Sequence, residues 1–501
     1  MLPPRASEGL VGFGIDFGTT NSVVGICEGG RTRAVLNEDG KPHASVVWFR
    51  ADGHVTVGKQ AKRNINGSSG EPGNTFVASV KRYLGKNKTY RVGSEPKPAI
   101  DVAQEIFRFL KEDATKKHNP EMRHGVVTIP VAFGGAARHE LRLAAERSGV
   151  FVKTFIYEPF AAVVAYCCGS GGQKLGMLEG QNILVFDWGG GTLDITVVAI
   201  RAGLMIQLAK AELGHIAGDH FDEKLLRHTY HRFLEKERLS VEEAPIHLTV
   251  KDRYLAECER AKIELSDSDQ DRVDLADFLR VNGRVYDIEQ AVVRPDFEND
   301  IKNDVRDAMA RVDKALEEAS LNTSDVNLVL LIGGSSKIPL VQHEMEVRFG
   351  SRIVPVTNAD TIIAEGAALV DYFGMHPVLA RTLGVLLSDG TFHEVFKKGT
   401  LAIPAVCKKT INFFCTDNRD GVAKLVLVEQ FEGREMNQRH LPIPVSSDLP
   451  VRHNDSERVT VTFSMDEDLI LRVFGKGATK AHENSLEVND LHFALGTEVR
   501  R

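Results

Sequence analysis

Asp16-Phe-Gly-Thr-Thr-Asn21 and Asp187-Trp-Gly-Gly-Gly-Thr-Leu-Asp194 are the two stretches on which the reading of this chain turns. Apolar runs flank both, from Val11 to Ile26 in the first case and from Ile183 to Ile200 in the second. That pattern predicts strand, tight turn, strand, with the small and hydroxylated residues in the turn. The leading aspartates lie 171 positions apart, so one fold is expected twice, as two facing lobes. In the first turn Gly18 has no Cβ to hold a phosphate away from the backbone. Thr19, Thr20 and Asn21 add backbone and side-chain donors. In the second, Gly189, Gly190 and Gly191 permit a closer approach still, between the carboxylates of Asp187 and Asp194. Asp16, at its strand end, is expected to face the metal of a polyphosphate through water, because Mg2+ sheds its waters reluctantly. Neither turn is a Walker loop, since no Gly-Lys-Ser/Thr follows, and neither carries Gly-x-Gly-x-x-Gly at a strand–helix junction. Either turn alone reads equally well as an ordinary glycine turn; their recurrence in matched strand contexts favours phosphate binding.

Between the turns, Asp101 to Lys117 places Val102, Ile106, Phe109 and Leu110 at helical spacing, and Ala136 to Ser148 is similar before a stop at Gly149. Residues 222–320 read as charged helices interrupted by a strand pair near Val273 to Ile288. Strands mixed with crossover helices predict α/β lobes over residues 1–374. On Glu259-Arg-Ala-Lys-Ile-Glu-Leu-Ser266, the residues Glu259, Lys262 and Ser266 share a helix face. That face suits a ribose and an adenine edge, and reads equally as a solvated, salt-bridged surface. Leu330-Leu-Ile-Gly-Gly-Ser-Ser-Lys-Ile-Pro339 reads as strand, glycine turn and helix start, a common way to hold a nucleotide or phosphate. Beyond Phe373 the character changes. Short β runs at Thr410–Thr416, Ala423–Gln430, Val459–Met465 and Leu469–Phe474 predict an antiparallel β-sandwich over residues 382–501, joined through a linker at 375–381.

Composition narrows the class. The net charge of -7 argues against bulk attraction to nucleic acid or an anionic membrane. Six scattered cysteines without a Cys-x-x-Cys pair give neither a disulfide scaffold nor a zinc site; Cys167 and Cys168, in an apolar run, read as buried small hydrophobes. The first ten residues lack a signal-peptide apolar core, and no run reaches the ~18 apolar residues of a membrane helix. A cytoplasmic protein is expected.

Further stretches carry a family resemblance: Val80-Lys-Arg-Tyr-Leu-Gly85, Thr128-Ile-Pro-Val-Ala-Phe133, Tyr157-Glu-Pro-Phe-Ala-Ala162, Ala217-Gly-Asp-His-Phe-Asp222 and Ile332-Gly-Gly-Ser-Ser-Lys-Ile-Pro339. With the two glycine turns and the 259–266 helix, taken in order from about residue 12 to 374, they resemble the seventy-kilodalton heat-shock chaperones of the DnaK type. The resemblance implies a two-lobed, actin-like α/β ATPase fold with duplicated lobes, followed by a β-sandwich domain that holds peptide. It implies a molecular chaperone that binds ATP or ADP with Mg2+ and K+, and that hydrolyses ATP slowly and under regulation. By it, Lys81 orients the attacking water and stabilises developing charge; read alone, a lysine paired with Arg82 is an ordinary surface cation. Glu158 then holds the water or metal shell, and Asp16, Asp187 and Asp194 arrange the ions, mainly through water. Thr19 and Thr192 become hydroxyl contacts to phosphate. Gly218, Gly333, Gly334, Ser335, Lys337 and Asp360 line the nucleotide pocket with Glu259, Lys262 and Ser266. Pro130 and Arg138 match the positions that relay nucleotide state.

The partners implied are unfolded or nascent polypeptide, a J-domain protein and a nucleotide-exchange factor, with no direct nucleic acid and no membrane. Candidate peptide-lining residues come from Phe392–Phe396 and Ile411–Phe414, where core packing is the ordinary role. Three departures from the family pattern stand out. The sequence stops at Arg501, soon after the β region, so capture without a helical lid is expected. The linker Met375-His-Pro-Val-Leu-Ala380 offers Val378 and Leu379 only, with Pro377 lacking a donor. Thr154 stands where many relatives carry the basic residue that greets J-domains. The acidic C-terminal motif that recruits helical-repeat co-chaperones is also missing. The alternative is therefore a nucleotide-dependent scaffold or co-chaperone of the ribosome-associated type, with little or no peptide cycling. A small-molecule kinase on the same fold has no pointer in the sequence.

Overall fold

The two glycine-turn motifs fold as matching hairpins. The computed structural model describes residues 11–68, 72–118, 121–169, 175–281, 283–354, 356, 358–415, 422–430, 440–450, 457–477, 483–489 and 491–496. Met1–Leu10, Thr416 and the terminus at Arg501 lie outside the described residues. Val11–Phe17 pairs antiparallel with Asn21–Glu28, Phe17 opposite Ser22. Asn182–Trp188 pairs the same way with Thr192–Arg201, Asp187 opposite Asp194. Both sheets are then completed alike. The first runs Phe151–Tyr157, His124–Ile129, Val11–Phe17, Asn21–Glu28, Arg31–Val35 in space, and the second runs Ile353–Val354, Leu328–Ile332, Asn182–Trp188, Thr192–Arg201, Leu204–Gly214.

In each sheet the strand before the turn has an antiparallel neighbour on one side and a parallel one on the other. The next, outer pair is parallel too, and parallel pairs need a crossover. Helices Gly135–Arg147 and Pro339–Phe349 supply it in the two lobes. The central strands are buried on both faces and read as continuous apolar runs, broken near their ends by the half-buried Asp16 and Asp187. Two helices, Glu158–Cys168 and Ile362–Phe373, pack against each other and tie the lobes at the base of the cleft. Their backbones touch because Gly366 has no side chain: a Cβ there would stand 1.8 Å from the Ala161 carbonyl oxygen.

The periodic segments lie where expected, at Ala99–Lys117 and Gly135–Arg147, with Gly149 at φ 82° just beyond the second. The strand pair is longer than its sequence signal, Gln270–Val281 against Arg284–Val293. Cys27, Cys167, Cys168, Cys258 and Cys407 are buried free thiols. No described helix is long and apolar enough to cross a membrane.

After the linker, two four-stranded antiparallel sheets follow. One orders Phe392–Phe396, Thr382–Leu386, Val422–Gln430 and His440–Pro450; the other orders Lys408–Cys415, Glu457–Met465, Leu471–Lys476 and Glu483–Val488. The last strand departs from the sandwich expected over 382–501. Phe493–Gly496 pairs antiparallel with Leu204–Gly214 of the second lobe and, on its other edge, with Pro377–Leu379. The segment expected as a bare linker thus closes a seven-stranded sheet as its edge strand. Pro377 sits at the first position of that strand, where a missing N–H is tolerated, and its carbonyl accepts the Ala402 N–H at 2.9 Å. Val378 and Leu379 are buried.

Candidate functional site

The two turns approach each other across the cleft. A Cβ at Gly190 would meet Thr20 Oγ1 at 2.6 Å and Asp219 Oδ1 at 3.1 Å, so glycine there leaves room for a ligand between the lobes. Thr20 Oγ1 is buried with no hydrogen-bond partner among the described residues, a costly state for a hydroxyl that a phosphate oxygen relieves. Gly18 is forced by its own turn, since a Cβ would stand 1.9 Å from the Asn21 carbonyl oxygen. Ser45 braces this turn from behind: its N–H donates to the Thr20 carbonyl at 2.8 Å and its hydroxyl to the Gly18 carbonyl at 2.8 Å. Thr19 is half-buried and Asn21 exposed.

Beneath the turns lie four carboxylates and one ammonium. Ser79, in the left-handed region at φ 55°, redirects the chain into the 3-10 turn Val80–Tyr83. Lys81 from that turn is buried, its Nζ donating to Glu158 Oε1 at 2.7 Å. Glu158 opens helix Glu158–Cys168, where an acid complements the helix dipole and Pro159 fits the first turn. Thr128 Oγ1 donates to Asp16 Oδ1 at 3.1 Å and Thr192 Oγ1 to Asp194 Oδ2 at 2.9 Å. Burial, then the Glu158 charge, pushes Asp16 up to about 6 against the opposing pull of Lys81 and Thr128. Burial, again followed by Glu158, pushes Asp194 up to about 6. Asp187 is driven well above the usual carboxylate range by burial first and by Glu158, Asp194 and Asp16 after it. Burial works against the Lys81 charge, but Glu158 and Asp16 outweigh it and hold the ammonium above its ordinary value. Such an excess of buried acid is relieved by a hard cation; among the described residues no three of these side chains are grouped to ligate one metal directly, so Mg2+ here would be held through its water shell. Glu158, Asp187 and Asp194 line a pocket together with Pro130, Lys210 and Glu212.

On the second lobe's side, the turn is joined to the next two motifs. Gly218 N–H donates to the Gly189 carbonyl at 3.1 Å, Asp219 N–H to the Gly190 carbonyl at 2.8 Å, and Ser335 Oγ to the Gly189 carbonyl at 2.9 Å. Gly333, at φ 78°, lets the following turn lie against Trp188: a Cβ would be 2.5 Å from its carbonyl oxygen. Lys262 Nζ sits 2.7 Å from Asp222 Oδ1 and donates to the Gly218 carbonyl at 3.0 Å. Glu259 is 2.7 Å from Lys62 Nζ, which projects from helix Lys59–Ser68 of the opposite lobe. Gly218, Lys262 and Ser335 are thus brought against the Gly189–Gly191 turn. Lys337 and Asp360 pair with each other at 2.7 Å on the exposed rim, and Ser266 lies half-buried one turn beyond Lys262. Lys62, Ser45, Thr128 and Asp222 were not singled out by the sequence. Of these, Thr128 and Asp222 carry a local signal, inside the Thr128–Phe133 and Ala217–Asp222 stretches.

Helix Gly135–Arg147 carries the contact to the β region. Arg138 Nη2 donates to the Asn489 carbonyl at 3.1 Å. Arg142 Nε donates to Asp468 Oδ1 at 2.7 Å, while its Nη1 reaches the Val152 carbonyl at 2.6 Å and its Nη2 the Glu467 carbonyl. His139 Nδ1 shares Asp468 Oδ2 at 2.9 Å. Thr154 is buried and accordingly presents no surface. Among the suggested peptide-lining residues, Ile411 and Phe413 pack on the core and Phe414 is 66% exposed.

A family model described as Hsp70 protein matches residues 12–498 of the chain. The chain is similar to the chaperone protein dnaK of Cyanidium caldarium, 29% identical over 95% of this chain and 79% of that protein. It is also similar to the chaperone protein DnaK of Halobacterium salinarum, 28% identical over 96% of this chain and 75% of that protein.

Proposed function

The chain belongs to the Hsp70 family, and from that premise we propose that its interlobe cleft binds ATP with Mg2+ and hydrolyses it as a slow, regulated chaperone ATPase acting on unfolded or nascent polypeptide. The observation that carries this reading is the Lys81–Glu158 pair at 2.7 Å, set among Asp16, Asp187 and Asp194 between two facing glycine turns. Backbone donors of Gly18–Thr20 and Gly189–Gly191 hold the phosphates, with Thr19, Thr20, Asn21 and Thr192 adding side-chain donors. The ammonium of Lys81 orients the attacking water and meets the charge that grows on the terminal phosphoryl group. Glu158 fixes Lys81 and keeps it protonated. Asp16, Asp187 and Asp194 would hold the water shell of Mg2+ and a K+ ion, which would supply charge neutralisation when bound. Gly218, Gly333, Gly334, Ser335 and Lys337 line the nucleoside side with Glu259, Lys262, Ser266 and Asp360. A cytoplasmic location, a J-domain protein and a nucleotide-exchange factor complete the proposal.

One observation favours a second reading, a nucleotide-dependent scaffold with little peptide cycling. The β region is tied to both lobes, through Arg142–Asp468 to the first and through the paired strands Phe493–Gly496 and Pro377–Leu379 to the second. The discriminating experiment is ATP hydrolysis by the whole chain with and without an unfolded peptide. Hydrolysis that peptide accelerates supports the chaperone. Hydrolysis indifferent to peptide supports the scaffold, and absence of hydrolysis removes the ATPase reading.

A further inference from the structure

Lys81 is followed by a second cation that the roles above leave unused. On the 3-10 turn Val80–Tyr83, successive side chains diverge by about 120°, so Arg82 leaves the backbone in a different direction from Lys81. It crosses to the other lobe. A Cβ added at Gly191 would stand 2.3 Å from Arg82 Nη2 and 3.2 Å from its Cζ. The guanidinium therefore lies directly against the turn whose backbone donors face the phosphates. Arg82 Nη2 is also 3.6 Å from Asp219 Oδ2, at the start of helix Gly218–Glu237, with side-chain exposures of 31% and 51%. At that distance and exposure the contact is a loose ion pair rather than a hydrogen bond. Asp219 thus parks the cation beside the turn without consuming its fork of donors.

Building on the nucleotide reading of this cleft, we propose that Arg82 is the residue that senses the terminal phosphate, exchanging Asp219 for it when ATP is bound. An arginine fork matches phosphate oxygens bidentately, and an arginine supplied to a transferring phosphoryl group stabilises its charge. The chemistry balances without a further reactant. The water oxygen bonds to the terminal phosphorus, the bond from that phosphorus to the bridging oxygen breaks with its electron pair going to the ADP oxygen, both water protons end on the released phosphate, and ADP leaves; Arg82 neither gives nor takes a proton. Because Arg82 belongs to the first lobe and the turn to the second, its grip also draws the lobes together while a terminal phosphate is present. ADP offers no such anchor. Arg82 therefore discriminates between the two nucleotides and retains the released phosphate.

The test compares wild type, Arg82→Ala, Arg82→Lys and Asp219→Asn in the whole chain. Calorimetric titrations with Mg-ATP, with Mg-ADP, and with inorganic phosphate on the Mg-ADP complex are followed by single-turnover hydrolysis. Arg82→Ala is expected to lose about tenfold or more in ATP affinity, the range of a charge-assisted hydrogen bond. Its ADP affinity stays within about twofold, which also certifies that the variant is folded, and phosphate no longer binds the ADP complex. Arg82→Lys recovers part of the ATP affinity. Asp219→Asn keeps or gains ATP affinity, because it removes the competitor for the guanidinium. Equal weakening of ATP and ADP by Arg82→Ala, or an Asp219→Asn that reproduces it, overturns the inference in favour of a simple bridge between lobes. Wild type that binds neither nucleotide overturns the reading of the cleft itself, whereas wild type that binds ATP alongside an unaffected Arg82→Ala overturns only the role of Arg82.

Discussion

Asp194→Asn is expected to make the nucleotide-free protein more stable while disabling its cleft. Burial, and after it the Glu158 charge, raises Asp194 from the ordinary 3.8 to about 6, with Thr192 and Lys81 offsetting only part of the rise. The sign follows from linkage. A raised folded-state value means that the folded protein holds the proton more tightly, so the contribution is whole below about pH 4 and lost as pH rises through about 6. At pH 7 the ionised carboxylate then costs the folded state about 3 kcal/mol at most, since partial solvation screens it, and at pH 4.5 only about 1 kcal/mol. Asparagine is the neutral isostere and retains an acceptor for the Thr192 hydroxyl. For a unit of this size the gain corresponds to a Tm rise of about 2–4 °C at pH 7 and about 1 °C or less at pH 4.5. Scanning calorimetry of wild type and Asp194→Asn at the two pH values measures it. With saturating Mg-ATP the order reverses, because only the carboxylate serves the metal. A variant less stable than wild type at pH 7, or a gain of the same size at both pH values, refutes the electrostatic reasoning.

Three further outcomes follow from named contacts. Asp468→Ala leaves Arg142 buried without its carboxylate, costing about 3 kcal/mol of docking between the first lobe and the β region; exchange of the amides at 378–379 and 493–496 is expected to quicken at least about tenfold by mass spectrometry. Gly366→Ala drives a methyl into the Ala161 backbone, 1.8 Å away, and is expected to destabilise by about 2 kcal/mol or more in thermal unfolding, because backbone has no rotamer to yield. Lys62→Met removes the half-exposed bridge to Glu259 across the cleft, and fluorescent ADP is expected to leave about two- to fivefold faster in stopped flow, as a surface pair of under ~1 kcal/mol allows.

The sequence and the fold agree most closely where the determinants are local. Asp16 and Asp187 with their glycine turns announce two hairpins, because turn chemistry and flanking apolar runs are contained within a few residues. The helical spacing of Val102, Ile106 and Leu110 gives helix Ala99–Lys117 to within a turn for the same reason. What could not be read is what the hairpins pair with. The parallel strands His124–Ile129 and Leu328–Ile332 that make the two sheets equivalent join them through crossovers, and no local pattern encodes such a register. The same limit hides Lys62 against Glu259, 197 positions apart, and Arg142 against Asp468, 326 apart. The face bearing Glu259 and Lys262 reads two ways in the sequence. Its ion pairs to Lys62 and Asp222 are of the salt-bridged kind, while its place beside Gly218 and the Gly189–Gly191 turn suits a nucleotide. Pro377 argues locally for a chain without sheet pairing. The edge position of strand Pro377–Leu379 answers that argument, and only the fold reveals the edge, formed by a strand more than a hundred residues later.

On the proposed function, Lys81, held by Glu158 among three aspartates, makes the interlobe cleft an ATPase. Single-turnover hydrolysis of Mg-ATP by wild type and Lys81→Ala tests it most directly, with ATP affinity measured on the same samples. The account predicts slow hydrolysis by wild type, a loss of at least about a hundredfold in the variant, and retained nucleotide binding through the two glycine turns. Hydrolysis by Lys81→Ala at the wild-type rate, or a wild-type protein that binds ATP without ever cleaving it, would contradict the account.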